Sequence, residues 1–221
     1  MDNAWNECLL GEARGLGIIL DEGQIGRLSA YTDLLLKWNA RLNLTRITSP
    51  DEVRVKHLLD SLLGLRVVPA STQTVLDLGS GAGMPGIPWL IARPTLRITL
   101  VDSVSKKVNF VKTALAQLRL AQGKAVHVHL AGEPTSEGLM PAEMVVSRAF
   151  TSLDEVLPFA RPYLAPGGSV VAMLGPREEE AQARKISADR GFEVVEQASA
   201  ELPLDMGARR VLRAVPRGTA G

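Results

Sequence analysis

The stretch Val75-Leu76-Asp77-Leu78-Gly79-Ser80-Gly81-Ala82-Gly83-Met84-Pro85-Gly86 constrains the fold more than any other part of the chain. A short apolar run with one acid inside it reads as a buried strand. Gly79, Gly81 and Gly83 follow at alternate positions. Glycine there lets the backbone take positive φ and lets a ligand come close. Pro85 and the apolar Ile87, Trp89, Leu90 and Ile91 then open a helix, proline being tolerated in a first turn. Strand, glycine loop and helix start together predict a nucleotide-type cradle with backbone N–H groups facing a ligand.

Gly81-x-Gly83-x-x-Gly86 matches the dinucleotide pattern, which alone is weak. Asp77 opposes a pyrophosphate, because a carboxylate at the strand tip repels phosphate. It suits an ammonium group, such as the amino acid end of S-adenosylmethionine. The next strand, Arg97 to Val101, ends in Asp102. An acid about twenty residues past such a loop bonds ribose hydroxyls, and Asp102 fits that role for either ligand. The bland alternative is a strand–turn–helix joint in which Asp77 only caps the helix.

With 25 basic and 24 acidic residues in 221, no global field drives the chain onto nucleic acid. RNA contact needs a local basic patch. The single cysteine, Cys8, excludes a disulfide framework and fits a reducing compartment. The acidic N-terminus lacks the features of a signal peptide. No apolar run reaches membrane-spanning length. The expectation is a soluble, cytoplasmic monomer.

Residues 1–70 read as a helical extension, 71–215 as a Rossmann-like α/β domain, and 216–221 as a disordered tail. Leu28, Tyr31, Leu35, Trp38 and Leu42 step along one helix face, ended by Asn43-Leu44-Thr45. Ser49-Pro50-Asp51-Glu52 is a capping box for a helix holding His57 and Asp60 on one side. From Thr74, strands and helices alternate, which predicts a mostly parallel sheet covered on both faces. Ala125 to Leu130 is expected as a third strand, with His127 and His129 sharing a face as sheet residues rather than catalysts. Met144 to Val146 is a fourth, and Ser169 to Leu174 a fifth. A second capping box at Ser152–Glu155 precedes a helix. Pro176 and Arg177 start a charged helix, and Phe192–Val195 and Arg210–Val215 complete the sheet.

Ligands bind at the carboxyl ends of such strands. The residues predicted to converge are Gly79 to Met84, Asp102-Ser103-Val104, Gly132-Glu133 and Ser147-Arg148. No Ser–His–Asp, Cys–His or metal-ligand spacing appears among them. A glycine-rich site poor in general bases suits a transfer whose chemistry the cofactor supplies. Arg148, at a strand tip, is placed for the pocket. Arg41, Arg46, Arg54, Lys56, Lys106, Lys107, Arg209, Arg210 and Arg213 are candidate contacts to a polyanion. Of these, Lys106, Lys107, Arg209 and Arg210 are the residues assigned to RNA.

The chain resembles the small-subunit (16S) ribosomal RNA guanine-N7 methyltransferases, also called the glucose-inhibited division protein B family, over nearly its whole length. The resemblance is carried by Lys37-Trp38-Asn39 with Asn43-Leu44-Thr45, by His57-Leu58-Leu59-Asp60-Ser61-Leu62, and by Asp77 through Pro88. It continues in Asp102-Ser103 with Lys106-Lys107 and in Ser147-Arg148-Ala149-Phe150. It implies a class I methyltransferase sheet of seven strands behind a helical cap. S-adenosylmethionine would be held by Asp77, Gly79, Gly81, Gly83, Met84, Asp102, Ser103, Val104, Gly132, Glu133 and Arg148. The substrate would be a guanine in the decoding region of the rRNA, within the ribosomal particle or its precursor. Arg148 would orient or stabilise, and no general base would be needed. Similar proteins carry a lysine after the fifth strand, where this chain reads Leu174. The rival readings are an NAD-dependent oxidoreductase and a non-enzymatic ribosome-binding protein.

Overall fold

In the computed structural model, strands β1 (Thr74–Leu78), β2 (Arg97–Asp102), β3 (Gly123–His127), β4 (Ala142–Arg148), β5 (Leu164–Leu174), β6 (Phe192–Glu201) and β7 (Ala208–Pro216) form one sheet. Its order is β3-β2-β1-β4-β5-β7-β6. The structure describes residues 1–148, 152–175 and 180–218. β1 pairs in parallel with β2 and with β4, so the chain reverses its winding beside β1. Only β7 runs antiparallel to its neighbours β5 and β6. The crevice outside the tips of β1 and β4 is therefore the topological switch point, where open α/β sheets bind ligands.

Central strands are apolar because both faces are covered. In β1, Val75, Leu76, Asp77 and Leu78 are all buried. One face carries helices α5 (Gly86–Ala92) and α6 (Ser105–Gln117), and the other α7 (Leu153–Ala160) and α8 (Glu180–Asp189). The apolar core on the α5–α6 side continues without a break into the N-terminal helices, from Trp5 and Leu9 through Leu28 and Tyr31 to Trp89 and Phe110.

Those helices are α1 (Asn3–Gly15) and α2 (Glu22–Leu42). Asp21 and Gln24 close a reciprocal capping box on α2. Asn43 ends α2 at φ 49°, a left-handed position that asparagine tolerates. Ser49 caps the next helix through the Glu52 N–H, and its Oγ is also 3.4 Å from Glu52 Oε2. The helix expected to run on regularly changes pitch instead. α3 (Pro50–Glu52) passes into a π-helical stretch, Val53–Leu59, before α4 (Asp60–Leu63) and a 3-10 turn, Gly64–Val67. Gly64 lies flat under Trp89, where a Cβ would come within 2.7 Å of the indole.

Several boundaries differ from the sequence reading. β3 starts two residues earlier and ends at His127, so His129 lies beyond it. The His127 ring bonds the Ser103 carbonyl at 3.0 Å, a structural tie. Ser152 precedes α7 without a side-chain cap. Pro216 is the last residue of β7, and Arg217 N–H bonds Gly191 C=O at 2.9 Å, so the final segment starts as paired strand. Ala149, Phe150, Pro176, Arg177 and residues 219–221 lie outside the described residues.

Candidate active site

The glycine loop is shaped by internal hydrogen bonds. Gly79, Gly81 and Gly83 take φ of 70°, 59° and 94°, conformations that need glycine. Ser80 N–H bonds Val101 C=O, and Gly83 and Met84 N–H both bond Ser80 C=O at 2.8 Å. Gly81 N–H goes to Asp102 Oδ2 and Gly86 N–H to Asp77 Oδ2, each at 2.9 Å. This narrows the expectation of N–H groups facing a ligand, since five of the loop's donors are spent within the protein and those of Gly79 and Ala82 are not among them. What the loop offers is room. A Cβ on Gly81 would find nothing nearer than Gly79 C=O, at 4.0 Å.

Asp77 is fully buried, 0% exposed. It caps α5 through Oδ2, while Oδ1 has no hydrogen-bond partner. Burial pushes its carboxyl up to about 7, against the Gly86 N–H and the charge of Arg148. The accessible carboxylate expected to hold an ammonium is thus not formed. Asp77 is instead a buried acid behind the loop, able to favour a cation on the other side. Asp102 keeps both oxygens at work, Oδ1 accepting Val104 N–H at 2.8 Å. Each carboxylate oxygen can accept a second bond, so a diol remains a fitting partner. Val104 is 36% exposed beside it, an apolar surface suited to a purine. Room over Gly81, an orphaned buried carboxylate oxygen and an acid at the β2 tip all fit S-adenosylmethionine. A loop with most of its amides spent within the protein fits a pyrophosphate badly.

Arg148, at the tip of β4, organises the other half of the site. Its Nη1 donates to Lys56 C=O and to Asp60 Oδ2, both at 2.8 Å. Its Nη2 lies 2.9 Å from His57 Nδ1 and 3.9 Å from Met84 Sδ. The change of helix pitch makes this possible. Asp60 N–H reaches back to Val55 C=O, five residues away, rather than to Lys56 C=O at the usual four. The Lys56 carbonyl is thereby open to the arginine. Interruptions of this kind gather at functional sites.

A guanidinium only donates, so His57 Nδ1 accepts and the ring proton sits on Nε2, 3.0 Å from Thr45 Oγ1. Burial, then Arg148, holds His57 down at about 3. The ring is neutral at physiological pH. Burial pushes the Asp60 carboxyl up, against Arg148 and Arg209, the latter 3.4 Å away through Nε.

The remaining expected site residues are less united. Gly132 N–H bonds Tyr163 Oη at 2.9 Å, and Glu133 N–H bonds Glu137. Both belong to a loop held by Glu137 and Tyr163. Lys106 Nζ bonds Leu42 C=O at 2.7 Å, tying α6 to the end of α2. Lys107 is half-buried one residue on. Arg209 turns onto Asp60 and its neighbour's carbonyl, a structural engagement rather than a free cation. Arg210 stands in register with Leu174 and Ser199. Arg54 is only 5% exposed, paired with Glu12 and Asp51, and Lys56 pairs with Glu52 at 2.6 Å. Both are removed from the polyanion candidates. Arg41 and Arg46 stay exposed.

Sequence reasoning missed Tyr31. Its hydroxyl, buried under α2, donates to Ala82 C=O in the glycine loop. Tyr31 stood in the apolar stripe of α2, and nothing local marked it as different from Leu28 or Leu35. Among the described residues, no group of His, Cys, Asp or Glu could hold a metal ion. No helix there is long and apolar enough to cross a membrane.

Among solved structures, the chain is similar to a precorrin-6y C5,15-methyltransferase from Geobacter metallireducens. The TM-score is 0.55 at 16% identity, covering 72% of this chain and 86% of that one. It is also similar to an S-adenosylmethionine-dependent methyltransferase from Thiobacillus denitrificans, solved with S-adenosyl-L-homocysteine. There the TM-score is 0.53 at 15% identity, covering 84% and 98%. These likenesses establish the class I methyltransferase fold. A ribosomal RNA small subunit methyltransferase G from Myxococcus xanthus is 43% identical over 212 residues, 96% of this chain and 97% of its own. The one from Leptothrix cholodnii is 38% identical over 218 residues, 97% of each. The family pattern described as GidB, rRNA small subunit methyltransferase G, matches residues 24–201, and with these relatives it shows that the chain belongs to that family.

Proposed function

We propose that the protein transfers a methyl group from S-adenosylmethionine to N7 of a guanine in the decoding region of 16S rRNA, in the cytoplasm. The glycine loop is the observation that carries this reading. Five of its N–H donors are satisfied internally, a buried acid lies behind it and Asp102 lies beside it. That arrangement suits a cationic nucleoside and not a dinucleotide phosphate. Family membership supports the substrate.

S-adenosylmethionine supplies an electrophilic methyl on a sulfonium. Gly79, Gly81, Gly83 and Met84 would line its bed, Asp102 with Ser103 and Val104 its nucleoside, and Gly132 and Glu133 the far edge. Guanine N7 carries a lone pair and no proton, so no side chain must act as a base. Neutral, hydrogen-bonded His57 agrees with that. Arg148 is held by three different acceptors and would act by placement, fixing the site beside Met84 and orienting the base. Lys107, Arg210 and the exposed Arg41 and Arg46 would meet the RNA backbone. Lys106 and Arg209 would do so only through the elements they brace.

The test is transfer of tritiated methyl from S-adenosylmethionine to small ribosomal subunits from cells lacking the protein, followed by mass mapping of 7-methylguanine. A single modified guanine is expected. Gly79→Val should abolish cofactor binding in calorimetry, and retained affinity would refute the site. Binding of NAD in place of S-adenosylmethionine would favour the oxidoreductase reading.

A further inference from the structure

A cavity of about 820 Å³ opens at the end of α2, lined among others by Asn39, Asn43, Leu44, Thr45, Arg46 and Thr48. Its wall is built by the segment after the helix. Asn39 Oδ1 accepts Thr45 N–H at 2.9 Å, and Asn39 Nδ2 lies 3.4 Å from Ile47 C=O. The volume lies within the range of small-molecule sites and exceeds what one base needs, as suits a nucleotide still joined to its neighbours.

Among the polar groups in that wall is Thr45. Its Oγ1 accepts from His57 Nε2 and from Ile47 N–H, at 3.0 and 3.2 Å. A hydroxyl has two lone pairs and one proton. Both lone pairs are therefore filled, and the proton has no acceptor among the described residues. His57 cannot take it, because Arg148 forces the ring proton onto Nε2. Thr45 is thus fixed as a donor. Exposed Arg46 adds further donors at the same wall. The Thr45 proton and the Arg46 guanidinium favour a ligand edge that offers them acceptors. Guanine presents O6 and N7 side by side, whereas adenine puts an N6 donor where O6 would be. Thr45 is linked to the glycine loop by successive contacts, through His57 and Arg148 to Met84.

We propose that this cavity receives the acceptor guanine, and that the Thr45 hydroxyl donates to its O6. The inference rests on the function proposed above and names the pocket that selects the base. Guanine becomes more cationic as N7 is alkylated, so O6 becomes a poorer acceptor. The bond therefore serves binding and selection more than the chemical step, and its loss falls on KM.

The experiment is a two-by-two cycle on small subunits reconstituted with ligated rRNA. The methylated position carries guanine or 2-aminopurine, which keeps N7 and lacks O6. The proteins are wild type and Thr45→Val, with Thr45→Ser as a rescue that retains the hydroxyl. On guanine, Thr45→Val should raise KM roughly 5- to 10-fold with kcat little changed, and Thr45→Ser should restore most of it. On 2-aminopurine, wild type should already show that loss and Thr45→Val should add almost none, because the two changes remove one bond. Multiplying losses, or failure of Thr45→Ser to rescue, would overturn the pocket while leaving methylation itself standing. Should wild type methylate no guanine, the functional reading fails instead, and the pocket is then judged by equilibrium binding of the same RNAs, where equal affinity of wild type and Thr45→Val for the guanine form overturns it.

Discussion

Tyr31 on α2 donates its buried hydroxyl to the carbonyl of Ala82, in the middle of the glycine loop. Burial pushes the phenol far above its ordinary value, so it remains a donor at every accessible pH. α2 thereby holds the glycine loop by its backbone.

Tyr31→Phe should loosen that hold. It leaves the Ala82 carbonyl buried without its donor, a cost of about 1–3 kcal/mol. We expect a lower melting temperature and roughly tenfold weaker S-adenosylmethionine binding, equivalent to ~1.4 kcal/mol. Calorimetry and thermal melts check both. Unchanged cofactor affinity at a reduced melting temperature would make Tyr31 a packing residue only.

Arg148→Ala should be severe. It removes the ion pair at 2.8 Å that Asp60 makes beside its weaker contact with Arg209, and it strips His57 and Lys56 of their donor. Breaking one side of a buried pair costs ~3–5 kcal/mol. Arg148→Lys should not rescue methyl transfer, because a point-like ammonium cannot span three acceptors set for a planar fork. Denaturant melts and single-turnover rates measure the two losses. Near-full activity in Arg148→Lys would show that charge alone suffices.

His57 predicts a flat rate profile and a sloping stability profile. Its folded value, about 3, lies below the ordinary 6.5. It therefore contributes stability that is present above pH ~6.5 and lost as pH falls towards 3. Thermal melts of His57→Gln should slope less between pH 6 and pH 4 than those of wild type. Between pH 6 and pH 8 the ring stays neutral, so methyl transfer should show no histidine titration. A histidine-like rise in rate that vanishes in His57→Gln would make His57 a base.

Asp77 runs the other way. Its folded value is raised from 3.8 to about 7, so its contribution to stability is full below pH ~4 and lost as pH rises through 7. A cation bound beyond the loop favours the ionised carboxyl. Affinity for S-adenosylmethionine should rise from pH 6 to pH 8, and less so for neutral-sulfur S-adenosylhomocysteine. Asp77→Asn should remove that rise and hold stability more nearly level across the same range. Titration calorimetry at several pH values decides the matter, and an identical pH dependence in the variant would disconnect Asp77 from the ligand.

Local chemistry made much of the protein legible. Alternating glycines demand positive φ, and Gly79, Gly81 and Gly83 adopt it. The strand before them is buried because it is apolar, and the parallel order follows from alternation of strand and helix. Arg148 at a strand tip was visible from the apolar run that precedes it. Contacts between segments distant in the chain were not. Whether a loop amide faces a ligand or Asp102 depends on where the second strand ends in space. Whether Arg54 meets RNA or Glu12 depends on how α1 packs. The pitch change at Val53–Leu59, which opens Lys56 C=O to Arg148, has no marker in a helical pattern of apolar residues. The sequence on its own determined the sheet, the turn from strand through glycine loop to helix, and the kind of chemistry, because backbone conformation and apolar periodicity act over a few residues. Only the tertiary structure decided that His57 is a neutral link between Arg148 and Thr45, because a hydrogen bond's direction is set by partners brought together from 12 and 91 positions away.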